Sequence, residues 1–271
     1  PAGWIDQQEM LFHGIPSRIR FRLPQDRAAR AGDVAQAAWD EFRRIGKEFN
    51  AFDPESEVGA FNGPEFKSIR AVSSEFSRLL ELSREIAEVT GGAFDPTVWP
   101  LKRLWRQAAE RGQPPTDAEI EAARAPVGMN RMTIMRRSAL RGRPSSGDSD
   151  PSLVHRAMAG VSVDFGGIVK GYAVDRVAEL LRGQGATDFL VQCGGEIAAH
   201  GRSPSGEPWR IGVQHPLERG AVWGSVSSAD GLSVSTSGNY EQPIRIGDLE
   251  FHHIVDPRTG RPVASPLLGV T

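Results

Sequence analysis

Five short stretches with strand character, 188–193, 208–214, 222–227, 232–236 and 249–254, follow one another with turn residues between them and no helical pattern separating them. Parallel strands need long, usually helical, crossovers, so strands in such close succession exclude a doubly wound parallel sheet. Helices precede this run. An alternation of Ile19, Phe21 and Leu23 with arginines predicts a half-buried strand. A helix is predicted over about 33–49, with Val34, Ala38, Phe42, Ile45 and Phe49 on one stripe. A second covers about 74–90, carrying Phe76, Leu79, Leu80, Leu82 and Ile86 and stopping at Gly91-Gly92. Thr116-Asp117-Ala118-Glu119 has the spacing of a capping box and starts a short helix ending near Arg124. A further helix is predicted over about 168–182. The fold class is therefore α+β.

Residues 141–152, rich in Pro, Gly and Ser, predict an exposed loop between strands near 132–135 and 161–163. The chain reads as a single domain whose two lobes, about 1–140 and 153–271, meet at this loop. With 32 basic and 34 acidic residues the net charge is -2, so no positive field exists to attract nucleic acid or anionic lipid. Only Lys47, Lys67, Lys102 and Lys170 accompany the arginines, a bias that empties arginine clusters of meaning. Cys193 is a single cysteine, and with six scattered histidines it leaves no Cys/His zinc framework. No apolar run is long enough to span a bilayer. The start at Pro1 implies an initiator Met or a removed leader upstream.

Chemistry concentrates in a few segments. In Asp164-Phe165-Gly166-Gly167-Ile168-Val169-Lys170 a strand ends in an acid, two glycines follow and a helix begins. Its exposed N–H groups would suit an anion such as a pyrophosphate, or the segment is simply a tight strand-to-helix turn; it matches neither the dinucleotide fingerprint nor a P-loop. Gln192-Cys193-Gly194-Gly195-Glu196 is a second glycine pair, read as a turn or bulge, with Cys193 as small buried filler. Ser233 to Tyr240 collects Ser235, Thr236 and Ser237 beside a glycine, either hydroxyl donors for phosphate and ribose oxygens or a polar hairpin shoulder. His252-His253-Ile254-Val255-Asp256-Pro257 sets imidazoles near a carboxylate before a Pro/Gly turn, usable as base, orienter or metal neighbour, or as an ordinary Asx-type turn. Polar loops with aromatics, 52–58 with Asn62 and 92–98 with Trp105, follow the first two helices and offer a slot for a flat ring or a staple to the core.

In this order the segments resemble the ApbE family of FAD-dependent protein flavin transferases. The likeness runs through FDPESEV with Asn62, GGAFDPTVWPLKRLW, the Asp164 glycine turn with KGYAVD, GGEI, STSGNY and HIVDPRTG, essentially the whole chain. The resemblance implies an ApbE-like, T-fold-like α+β fold with antiparallel sheets flanked by helices. It implies a transferase that binds FAD, breaks its pyrophosphate with magnesium assistance, places FMN on a Thr or Ser hydroxyl of a target protein and releases AMP. Targets would be flavin-acceptor subunits of membrane redox complexes of the quinone reductase or electron-bifurcating type. The site of action would be the periplasm or the outer face of the cytoplasmic membrane.

By the same resemblance His253 would take the acceptor's proton while Asp256 organises the site. Ser235, Thr236 and Ser237 would line the diphosphate, with Asp164, Gly166, Gly167 and Lys170 beside the cofactor. Asn62, Asp95 and Trp105 would lie near the adenine or flavin, and the Val169 carbonyl would be a magnesium ligand. Family members continue past the strand of Leu268 to Thr271 into a helix whose Asp-x-x-x-Thr pair supplies the side-chain metal ligands. That segment lies beyond Thr271, and the expectation is of a trimmed chain. An FAD pyrophosphatase giving FMN and AMP, and a non-catalytic flavin-binding protein, are the alternative functions.

Overall fold

The arginine-studded stretch that opens the chain forms a hairpin in the computed structural model, which describes residues 3–12, 14–64, 68–136, 152–218, 220–228, 230–238, 244–247 and 249–271. The longer elements are β1 (Trp4–Leu11), β2 (Ile15–Arg22), α1 (Ala31–Glu48), α2 (Glu57–Asn62), β3 (Ile69–Val72), α3 (Ser74–Val89), α4 (Trp99–Arg111), α5 (Asp117–Arg124), β4 (Met132–Arg136), β5 (Ser152–Arg156), α6 (Val169–Gly183), β6 (Asp188–Cys193), β7 (Glu196–His200), β8 (Trp209–Gln214), β9 (Val222–Ser228) and β10 (Leu232–Ser235), followed by short strand pairs of two or three residues. The chain divides into two compact units, Pro1–Lys47 with Val169–Tyr240 and Leu267–Thr271, and Glu48–Ile168 with Glu241–Pro266. The predicted lobes, 1–140 and 153–271, are thereby corrected: the chain crosses from one unit to the other several times instead of filling them in sequence. The predicted loop falls almost wholly outside the described residues, as do Asn239 and Tyr240.

In the first unit a sheet of order β1-β2-β6-β7-β10 is antiparallel throughout. Register sets Ile19 opposite Val191 and Phe21 opposite Phe189, all buried. Cross-strand apolar pairs of this kind fix the register, because a one-residue slip would turn both rows to water. The intervening arginines serve the other face: Arg18 grips Asp6 through two bonds of 2.7 Å, and Arg20 adds a third. Helix α6 packs on β6 and β7 with Ala173, Val174, Val177, Ala178 and Leu181 buried. Helix α1 buries the predicted Val34, Ala38, Phe42 and Ile45 together with Trp39, whose indole N–H reaches Gln7 at 2.8 Å. Strands β8 and β9 form a separate ribbon.

The second unit holds a three-stranded antiparallel sheet, β3-β5-β4, and helices α2 to α5. Ser73 caps α3, and Gly91 and Gly92 end it at φ 58° and 77°, a conformation that glycine adopts without strain. The capping box of α5 is complete. Helix α4 and α5 bury Leu101, Trp105 and Ile120 in one cluster with Ile246 and Val255. Two strand predictions are corrected. Residues 161–163 form no ladder, because the backbone of Val163 is paired by a side chain, and the stretch 249–254 is strand only at Leu249–Phe251.

The turn Asp53 to Ser56 folds over α2, and a Cβ on Gly59 would lie 1.9 Å from the Asp53 carbonyl oxygen. Gly59→Ala is therefore expected to destabilise the protein by about 1 to 3 kcal/mol, whereas Gly32→Ala in α1, where nothing lies within 4 Å, should cost nothing. Urea midpoints of the two variants check this; equal midpoints would show that the turn yields.

Candidate functional site

Within the second unit the Asp164–Gly167 turn is held from four directions. Phe165 is buried against Phe49 and Phe76, with ring centroids at 6.0 and 5.2 Å. Just before it, Asn62 at the end of α2 donates to the Val163 carbonyl and accepts from its N–H, both at 2.7 Å. An amide side chain carries one acceptor and a donor group side by side, so it replaces the missing strand neighbour. The Asp164 N–H donates to the Pro96 carbonyl at 2.7 Å. Its carboxylate accepts the Gly166 N–H at 2.9 Å on Oδ1 and the Lys102 ammonium on Oδ2. Gly166 and Gly167 themselves are exposed, so the turn presents bare backbone.

What the glycines approach is protein. A Cβ on Gly167 would meet the Phe94 ring at 2.9 Å, and one on Gly166 would meet the Asp164 carboxylate at 3.1 Å. Two of the last carbonyls of α2 are satisfied by arginines: Arg70 donates to that of Ala60 and Arg156 to that of Phe61, and Arg156 also donates to the Val161 carbonyl beside the turn. These braces fix Asn62, and through it the turn.

Asp95 and Trp105 have structural duties. Asp95 is buried, accepting from the Thr97 N–H and hydroxyl on Oδ1 and from the Met129 N–H at 3.0 Å on Oδ2. Trp105 is 2% exposed, with its ring against Phe251 and its N–H on the Gly260 carbonyl at 2.8 Å. Trp105, expected near the adenine or flavin, is a core side chain in the cluster of α4 and α5. Its bond to Gly260 instead anchors the loop of His252 to Gly260.

In that loop Asp256 accepts from the Arg258 N–H and Nε on Oδ1, each at 2.9 Å, and from Nη2 at 2.8 Å on Oδ2. The Arg258 guanidinium holds the Asp256 carboxyl below the usual carboxylate range. Gly260 returns its N–H to the Asp256 carbonyl at 2.8 Å, closing the turn. His252 and His253 have ring centroids 5.3 Å apart. The His252 Nδ1 accepts the Ile254 N–H at 3.1 Å, which places its neutral-form proton on Nε2, and burial pushes its pKa down. His253 is half-buried.

The first unit gathers the remaining residues around the second glycine pair. Ser235 stands opposite Glu196 across the β7–β10 ladder, and Lys170 in the first turn of α6 lies 3.4 Å from the Glu196 carboxylate. The Thr236 N–H donates to the Gly195 carbonyl at 3.1 Å, and its hydroxyl meets that of Thr271 at 3.0 Å. A Cβ on Gly195 would lie 2.7 Å from the Thr236 carbonyl oxygen. Ser237 pairs with Val270, and the chain at Ser235 and Ser237 is exposed. Val169 is the buried first residue of α6.

Sequence reasoning missed Lys102 and Glu196. A signal existed: in a chain that otherwise uses arginine, lysine appears four times, and two of the four pair with the acids beside the glycine turns. Cys193 is the buried filler expected, its thiol pKa pushed up by burial.

Asn62→Leu should leave a buried N–H and carbonyl of Val163 unpaired and destabilise the protein by about 2 kcal/mol, read as a lowered urea midpoint. For His252 the native pKa lies below the unfolded one, so the unfolded state binds more protons and stability falls as pH drops through about 6.5. Asparagine at 252 keeps an acceptor for the Ile254 N–H without titrating. His252→Asn is thus expected to lose less stability than the parent between pH 7 and 5; parallel losses would assign the pH dependence elsewhere.

A family model described as the ApbE family matches residues 14–271. The chain is 30% identical over 203 residues to the FAD:protein FMN transferase of Salmonella typhimurium, covering 74% of this chain and 55% of that protein. To the FAD:protein FMN transferase of Escherichia coli it is 27% identical over 254 residues, covering 93% of this chain and 69% of that one. The crystal structure of Pseudomonas stutzeri flavinyl transferase ApbE in its apo form matches with a TM-score of 0.79 at 27% identity, over 98% of this chain and 78% of that chain. The chain spans 55% and 69% of the lengths of these two curated relatives.

Proposed function

The chain belongs to the ApbE family, and on that premise we propose that it transfers the FMN portion of FAD to a Thr or Ser hydroxyl of an acceptor protein. The observation that carries this reading is that the two loops bearing the family's motifs hang on one helix: Lys102 and Trp105 of α4 hold Asp164 and Gly260 respectively. A carboxylate-anchored glycine turn and a histidine-bearing loop are thereby kept in fixed register, as group transfer between two bound molecules requires.

The reaction follows from the chemistry of phosphoryl transfer, which asks for positioning and charge stabilisation more than covalent help. The acceptor hydroxyl oxygen attacks the flavin-side phosphorus of the pyrophosphate, the bond from that phosphorus to the bridging oxygen breaks, and AMP leaves with the electron pair. His253 takes the hydroxyl proton, and the Arg258-bound Asp256 holds the loop that presents it. Hydroxyls of Ser235, Thr236 and Ser237 donate to phosphate oxygens, with the Lys170 ammonium adding positive charge. The exposed, side-chain-free backbone at Gly166 and Gly167 leaves room for the cofactor's close approach.

Magnesium is implied by the family. Among the described residues no group of three or more His, Cys, Asp or Glu side chains could hold a metal, and the Val169 carbonyl alone does not make a site. The residues present do not fit the ion, and no step is derived through it.

The partners we infer are flavin-carrying subunits of membrane redox complexes, met in the periplasm or at the outer face of the cytoplasmic membrane. The reading rests on the family, and a lone cysteine is compatible with that compartment. Among the described residues no helix is long and apolar enough to cross a membrane.

Incubation with FAD, magnesium and an acceptor domain carrying a threonine target is expected to raise the acceptor's intact mass by one esterified FMN. His253→Ala should lower that transfer about 10²- to 10⁴-fold with FAD affinity nearly unchanged. FMN and AMP formed without labelled acceptor would make the protein a pyrophosphatase, and bound FAD without turnover would make it a flavin-binding protein.

A further inference from the structure

We infer that Lys102 is a positioning residue for FAD, acting through the Asp164 carboxylate; the inference rests on the reading of the glycine turn as the place where FAD approaches. Asp164 is 9% exposed, and a carboxylate so buried needs partners on both oxygens. The turn supplies one, the Gly166 N–H, while the other comes from α4. The two oxygens therefore act separately, Oδ1 shaping the turn and Oδ2 tying it to the helix.

A carboxylate's terminal torsion is broad and roughly two-fold, so with Oδ2 free the group can rotate and release Gly166. The Lys102 ammonium prevents this rotation. It remains 34% exposed, so much of its hydration survives and the pair avoids the desolvation cost of a fully buried bridge.

Its place on α4 gives Lys102 a second consequence. Lys102 and Trp105 are three residues apart, neighbours on the helix surface about 4.5 Å apart along the axis. One bonds the glycine turn and the other the His252–Gly260 loop, so a short rigid stretch of helix sets the spacing of both. The other unit repeats the device, where Lys170 lies beside Glu196 at the second glycine pair.

The test is the dissociation constant of FAD, measured by flavin fluorescence, for the parent protein, Lys102→Met, Lys102→Arg, Asp164→Asn and the Lys102→Met/Asp164→Asn double variant, with thermal midpoints alongside. Lys102→Met is expected to weaken FAD binding about tenfold or more, as loss of a hydrogen bond to a charged group should. Lys102→Arg should restore most of the affinity. If Lys102 works through Asp164, the double variant should bind no worse than Asp164→Asn alone.

Unchanged affinity in Lys102→Met overturns the inference. So do losses that multiply in the double variant, or a loss that follows a lowered thermal midpoint and is not restored by arginine. A parent protein that binds FAD but labels no acceptor would overturn the proposed transfer while the affinities still decide the role of Lys102. A parent that binds no FAD would overturn both.

Discussion

The geometry of the second unit's candidate residues depends on the attachment of two loops to α4. Lys102 holds the carboxylate of the glycine turn, and Trp105 holds the carbonyl of Gly260, the residue whose N–H closes the turn after Asp256. The glycine turn has no regular structure of its own, and the histidine-bearing loop has only the two-residue ladder of Val255–Asp256 with Arg261–Pro262, so without such bonds each would be less tightly fixed. The helix resists deformation because its hydrogen bonds run along the axis, and its buried side chains Leu101, Trp105 and Ala108 fix its rotation in the core. Gly112 in the left-handed conformation ends it cleanly.

Several polar groups that could serve chemistry serve architecture instead. Asp95 joins the start of α4 to the backbone at Met129, while the Thr97 hydroxyl oxygen accepts the Gly128 N–H at 2.6 Å. Arg70 and Arg156 donate to the Ala60 and Phe61 carbonyls near the end of α2, and burial holds the Arg156 pKa below its ordinary value. Glu57, its pKa raised by burial, accepts from the N–H and hydroxyl of Ser73 and so joins α2 to the cap of α3. A site that must keep exposed glycine backbone in one conformation needs such support from outside the turn, since the glycines supply none themselves.

Much of this was legible in the sequence. The apolar stripe of α1, the serine cap of α3 and the capping box of α5 are local patterns, and each governs structure within a few residues of itself. The glycine turns were legible as turns. Their neighbours were not: Phe94 under Gly167, and Thr236 against Gly195, belong to distant segments. Residues 161–163 look like a strand because they are apolar and extended, yet an asparagine side chain takes the place of a neighbouring strand. Trp105 looked like a platform for a flat ring, because an aromatic beside a polar loop reads the same whether it faces a ligand or the core.

The sequence by itself determined the helices α1, α3, α5 and α6, several of the strands, the antiparallel character of the sheets and the order of motifs by which the family is recognised, whereas α2 and α4 lie in or directly after stretches that read only as polar loops. These depend on periodicity and on residue types at short spacing. The tertiary structure decided which polar group meets which. Lys102 and Asp164 are 62 residues apart, Asn62 and Val163 are 101, and Trp105 and Gly260 are 155. A charged or amide side chain carries its bonding capacity in its formula but not the identity of its partner. That partner is fixed only when packing of the apolar faces brings the two segments within hydrogen-bond reach.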